Sequence, residues 1–296
     1  MIAAGLILSR FLHLSALMVL FGSGLFPFYA GASASEDRRV VIIAARVALF
    51  GGVLWYLFTA AGMSGNLRGA IDWSVLSLVG GSTAFGHLWL ARLIVLVAAL
   101  LLFVLSSQRW TWFAGVALSG IAVVTIPWAG HGQDGAGSGT WIHAGGDAVH
   151  LLAAAIWIGG LVRLLLLLRR GKSETREKIA MALIGFSGWG PATVALLLLS
   201  GFVNSWFLVG PQNVGAILRS AYGAILVAKL VLFAAMLGLA TANRFRLTPR
   251  LALAGNPMTV FAATRALQRS ITAETLLAAA VLVAVAVMGT LPPPAS

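Results

Sequence analysis

The stretch DAVHLLAAAIWIGGLV, residues 147–162, decides the fold. It lies inside an apolar run of about 142–168, longer than the roughly 20 residues that cross a bilayer as a helix. Seven further runs of the same kind fall at about 3–29, 40–63, 86–106, 111–129, 182–208, 220–242 and 269–291. The chain is 60% hydrophobic and 9% charged, with a mean hydropathy of +0.97, where soluble domains carry roughly 25% charged residues. The expected fold is all-α: a polytopic membrane protein of eight transmembrane helices.

The net charge of +12 is distributed by loop. Arg38, Arg39, Arg109, the 169–180 linker RRGKSETREKIA and the arginines of 244–269 all fall at every second connection, whereas the alternate ones hold little more than Arg68 and Arg219. Basic residues mark cytoplasmic loops, so both termini are expected on the periplasmic side. The charge therefore reports topology, and it gives no reason to expect a nucleic-acid partner. No cysteine is present, which removes disulfides and thiolate metal sites. Ala32-Ser33-Ala34 has the small-residue look of a signal-peptide cleavage site, but no charge precedes Arg10 and the apolar span is too long, so the first span is expected to be retained.

The stretch from Asp147 has a counterpart 137 residues earlier, RFLHLSALMVLFGSGL at 10–25, which places His13 over His150 and Gly22 over Gly159. At the same offset FGHLWLARL from Phe85 matches YGAILVAKL from Tyr222, placing Arg92 over Lys229. Two unlinked matches at one offset point to two parallel four-helix repeats, an N-terminal half at 1–135 and a C-terminal half at 136–296. Residues 243–268 are expected to form a longer cytoplasmic loop, because Pro249 and Pro257 forbid one continuous helix.

All five histidines fall in the outer half of the expected topology: His13 in the first span, His87 opening the third, His131 closing the fourth, and His143 and His150 in the first turns of the fifth. Histidine is the commonest metal ligand. His143, Asp147 and His150 are spaced i, i+4, i+7 and share one helix face, so Asp147 either ligates with them or orients a ring. Asp147 is alternatively a counter-ion for Arg10 or Arg92. The candidate metal ligands are His13, His150, His143, Asp147, His131 and His87, with Met18 and Met63 as possible soft thioether ligands. Arg92 and Lys229 sit at equivalent depth, where a charge is costly unless paired or solvated; they pair with Asp147 or Glu274, hold an anionic ligand, or snorkel. Packing of the first span on the fifth is expected to bring His13 and His150 to one ion.

With the second half in view, HLLAAAIWIGGL from His150, LLSGFVNSWFL from Leu198, YGAILVAKLVL from Tyr222, ANRFRLTPRL from Ala242 and SITAETLLAAAVLVAVAV from Ser270 resemble the CopD family of bacterial copper-resistance membrane proteins. The resemblance covers about 143–290 well, and RFLHLSALMVLFGSGLF from Arg10 supports it in the first half. It implies a multi-pass protein of the bacterial inner membrane that moves copper from periplasm to cytoplasm with a separate periplasmic CopC-type copper-binding partner. It carries over no ligand set. Two other readings compete. One is a b-type haem redox protein, with His13 and His87, or His150 and another histidine, as axial pairs and Arg92 or Lys229 on propionates. The other is a copper sensor or scaffold without transport. No nucleotide-binding motif is present, and no enzymatic activity is expected.

Because the chain has no native cysteine, single cysteines at Gly137 and Ser173 test the topology against a clean background. An impermeant thiol reagent is expected to label Gly137→Cys from the periplasm and Ser173→Cys only after lysis. Equal labelling of both rejects the topology.

Overall fold

A computed structural model describes residues 1–31, 34–106, 108–129, 138–170, 176–210, 212, 215, 217 and 219–292, with the backbone alone at 34–37, 129, 138–140 and 176. Every regular element among them is helical: α1 (Ile2–Ala30), α2 (Ala34–Ser64), α3 (Trp73–Ser82), α4 (Ala84–Leu105), α5 (Arg109–Val124), α6 (Ser138–Arg169), α7 (Arg176–Leu208), α8 (Ala221–Ala242), α9 (Thr248–Leu253) and α10 (Pro257–Met288), with short 3-10 turns at Leu67–Ala70 and Pro127–Ala129 and a π turn at Asn243–Leu247. Among the described residues, seven helices are long and apolar enough to cross a membrane: α1, α2, α4, α6, α7, α8 with its continuation to Leu253, and α10. The helix at the expected span 111–129 has 16 residues, about 24 Å at 1.5 Å per residue, short of the roughly 30 Å hydrocarbon core. It packs along α4 from the level of Phe103, which meets Trp112, to that of Arg92. Phe113 near its start packs on Phe28 at the end of α1, ring centroids 6.0 Å apart, while Thr125 just beyond its end accepts from Arg92 on α4.

Side-chain caps start the helices where the sequence changes character. Thr83 accepts from Gly86 N at 2.9 Å to begin α4, and Ser220 accepts from Gly223 N at 3.0 Å to begin α8, each satisfying an amide that has no intrahelical partner. These two caps, and both ends of α4 and α8, lie 137 residues apart. Gly86 and Gly223 each have the backbone of the preceding turn, at Val79 and Ile217, where a Cβ would stand. At the exposed α2–α4 connection, Asp72 caps α3; the hydroxyl and amide of Ser74 hold its carboxyl below the usual carboxylate range.

The expected loop 243–268 is instead mostly helical. Pro249 and Pro257 both stand in first turns, of α9 and α10, where no intrahelical N–H is required of them. The break is confined to Ala254–Asn256, and Asn256 with Thr259 forms a capping box that starts α10 twelve residues before the expected span.

The helix α1 is central, packing on α2, α5, α6, α7 and α10. It crosses α6 at Gly22 and Gly159: a Cβ on Gly22 would meet the carbonyl of Ala155, and one on Gly159 the backbone of Gly22 and Ser23. Ser23 Oγ reaches the Gly159 carbonyl at 3.5 Å across the contact. One apolar core lies on each side of the crossing. The first joins Leu17, Leu20, Leu96, Phe103 and Trp112 of the N-terminal half; the other gathers Met18 and Phe26 with Trp157, Leu161, Leu164 and Leu267.

Side chains at the crossing force the helices apart, and overpacking typically costs 1–3 kcal/mol. Gly22→Leu and Gly159→Leu are each expected to lower the unfolding midpoint in detergent by several degrees or abolish the monodisperse peak. Gly145→Ala on the same helix faces open space and is expected to hold or raise the midpoint, by up to about 1 kcal/mol. Equal tolerance of all three rejects the crossing.

Candidate functional site

In the C-terminal half, α6 presents its polar face to α7. Asp147 Oδ1 accepts from Asn204 Nδ2 at 3.0 Å. His150 Nδ1 lies 3.0 Å from Ser200 Oγ, whose single proton goes to the Leu196 carbonyl; the imidazole therefore donates through Nδ1–H and leaves Nε2 as the bare nitrogen. The His143 ring stacks on Phe207, centroids 5.2 Å apart. Of the two glycines beside Asp147, Gly146 is approached by Val203 and Gly145 is open. Lys229 on α8 is a cation in electrostatic reach of both Asp147 and His150, whereas Arg10 lies on Trp55 and Gly289 and Arg92 on Thr125.

In the N-terminal half, His13 is fully buried, its ring 5.6 Å from both Trp55 and Trp89. Its Nδ1 is 2.7 Å from the Ala48 carbonyl. A carbonyl only accepts, so Nδ1 carries the proton and Nε2 is bare. Arg92, also fully buried, donates through Nε to Thr125 Oγ1 at 2.8 Å and through Nη2 to the Thr125 carbonyl at 2.7 Å. It meets no carboxylate among the described residues and lies 5.9 Å from each of the two indole centroids. His13 and His150 are thus each committed to their own half, His13 to α2 and His150 to α7. The single site expected between them does not form, because the α1–α6 crossing lies nine residues below both rings and each ring is held by a different neighbour.

Glu274 is 1% exposed on α10 and accepts from Trp157 Nε1 at 2.8 Å and Asn243 Nδ2 at 2.9 Å. The expected pairing with Arg92 or Lys229 gives way to these two neutral donors. A cavity of about 350 Å³ opens beside it between α6, α7, α8 and α10, lined in part by Thr193, Trp189 and Arg244.

The remaining candidates lie apart. His87 Nε2 is 2.9 Å from the Gly81 carbonyl at the exposed start of α4, not facing His13, so the axial pair expected of them is not formed. Met18 is packed in the core and Met63 is exposed at the end of α2. His131 lies outside the described residues. Among the described residues no three His, Asp or Glu side chains gather around a common point that would hold a metal ion. The sequence reading missed Trp55, Trp89 and Thr125 as neighbours of His13 and Arg92. Their signal was available in part, since tryptophan favours the membrane interface and Trp55 and Trp89 lie within spans.

This is a multi-pass membrane protein whose polar groups are gathered between helices of each half. Residues 1–141 match the family described as copper resistance protein D-like, N-terminal domain, and residues 180–288 match copper resistance protein D. Copper resistance protein D of Pseudomonas syringae pv. tomato is 34% identical over 96% of this chain and 95% of its own length. Inner membrane protein YebZ of Escherichia coli K12 is 30% identical over 85% of this chain and 87% of its own. Copper transport protein CutJ of Bacillus subtilis 168 is 32% identical over 50% of this chain and 25% of its own length. No solved structure matches. The chain belongs to the copper resistance protein D family.

If Asp147 and Lys229 offset each other inside the membrane, removing one charge strands the other, at a cost of about 3 kcal/mol for a buried pair. Asp147→Asn and Lys229→Gln are each expected to lower the unfolding midpoint, and the double variant to recover most of the loss. A double variant that falls by the sum of the singles shows that the two charges are independent.

Proposed function

We propose that this chain carries copper through the bacterial inner membrane, from periplasm toward cytoplasm, as a permease and not as an enzyme. The observation that carries the reading is the polar face of α6, where His150 and His143 flank Asp147 inside the membrane domain of a copper resistance protein D family member. A bare Nε2 whose ring is anchored through Nδ1–H is the arrangement metal-ligating histidines adopt, and His150 and His13 both have it. Imidazole suits copper better than calcium or magnesium. The ligand set comprises His150, Asp147 and His143, with His13 as a second position; the ligands close on the ion as it binds.

The topology in this proposal has eight spans and both termini periplasmic. Support for α5 as the eighth comes from its course along α4, from the level of Phe28 to that of Arg92. Support for parallel halves divided near 135 comes from the equivalent caps, helix limits and glycines of α4 and α8. The histidines then face the periplasm, where a separate CopC-type copper-binding protein delivers the ion.

The test is copper accumulation in cells expressing matched amounts of each variant. His150→Ala and the His13→Ala/His150→Ala double variant are expected to lose at least about tenfold in initial uptake rate. Neutral imidazoles compete with protons for the metal, so binding is expected to weaken on acidification. Full uptake by the double variant overturns the reading.

A further inference from the structure

The surroundings of His13 are unusual for a lone metal ligand. Two guanidiniums border the same indole: Arg10 lies 4.8 Å and Arg92 5.9 Å from the Trp55 centroid. Arg10 also rests against Gly289, the cap of α10, where the helix dipole offsets part of its charge. Arg92 is placed likewise, donating to the hydroxyl and carbonyl of Thr125, the cap of α5. Four buried polar atoms here have no hydrogen-bond partner among the described residues: Arg10 Nε, Arg92 Nη1, Trp89 Nε1 and His13 Nε2. Three are donors, and the fourth is a bare lone pair. Such atoms are rare in folded proteins because each forfeits its hydration, and the cost rises in a membrane.

One class of occupant answers His13 Nε2, Arg92 Nη1 and Trp89 Nε1 together. A cation alone suits the lone pair of His13 but faces two guanidiniums. An anion alone suits the N–H donors but faces that lone pair. We infer that this cluster of unpartnered groups takes a cuprous ion together with a small halide-class anion, the metal on His13 Nε2 and the anion against Arg92 Nη1 and Trp89 Nε1. Cu(I) is a soft monovalent ion that accepts two ligands in line, and imidazole with halide is a favourable set. The pair is neutral, which removes most of the penalty of placing a bare ion within the bilayer. This inference rests on the copper reading above, and it names the form in which copper occupies the N-terminal half.

The test exploits a difference in sign. Halides complex Cu(I) in solution, so they weaken apparent binding at any site without an anion pocket. Purified protein in detergent is loaded with Cu(I) in chloride, bromide or sulfate and titrated with a chromogenic cuprous chelator. Compared with His13→Ala, the wild type is expected to hold one additional copper, bound at least about tenfold more tightly in chloride or bromide than in sulfate. X-ray absorption at the copper edge of the bromide sample is expected to show a bromide neighbour. Arg92→Gln is expected to reverse the halide effect. Trp89→Phe removes the indole N–H together with part of the buried ring and is expected to diminish the halide effect several-fold while the additional copper is retained, which guards against a variant that merely misfolds. An additional copper with only light neighbours and weaker binding in halide overturns the paired anion and leaves copper transport standing. Equal copper in wild type and a folded His13→Ala assigns the cluster to water and overturns the inference. Loss of uptake by His150→Ala is measured separately and tests the transport reading alone.

Discussion

The backbone contact between Gly22 and Gly159 is the constraint on which the structure depends. Within a membrane no hydrophobic drive pulls helices together, so close packing through small residues supplies the attraction. Here the carbonyl of Ala155 occupies the place of a Gly22 side chain, bringing the backbones of α1 and α6 into direct contact. The two apolar cores fill the spaces on either side of this contact. The histidines nine residues above are thereby turned outward to separate partners, Ala48 and Ser200. The tight crossing gives each half its own polar interior.

Those interiors differ although they occupy equivalent places. Around His150 the opposing helix offers Ser200 and Asn204, and one cation lies near one carboxylate. Around His13 the neighbours are Trp55 and Trp89, with two guanidiniums and no acid among the described residues. The first suits a cation directly, whereas the second does so only once its positive field has been met. Two histidines 137 residues apart thus stand among residues of different chemistry.

Much of the helical fold was legible because span length is a direct consequence of bilayer thickness. The offset of 137 residues was also legible, and it led to the caps at Thr83 and Ser220, which had not been singled out. The helical course of 243–268 was not legible, since a proline in the first turn of a helix and one that breaks a helix look alike until the caps are seen. Site residues were harder. The i, i+4, i+7 spacing put His143, Asp147 and His150 on one face, and they do share it, yet spacing within a helix says nothing of which neighbour that face meets. The partners of Arg92 and Glu274 come from other helices and are neutral: Thr125, Trp157 and Asn243. Reading by charge alone favours acid–base pairs, and inside a membrane hydroxyl, amide and indole groups fill that role at lower cost.

The π turn at Asn243–Leu247 has a mechanical meaning. A π turn takes in one residue more than an α turn, and each residue advances an α-helix by about 100°. The surplus residue therefore reorients all of α9 relative to a straight continuation of α8, while Asn243 keeps its amide on Glu274. Because the surplus is stored in winding, it can be passed along the helix one peptide at a time, with little displacement of either end. The wall of the Glu274 cavity thus contains a screw thread with one spare step.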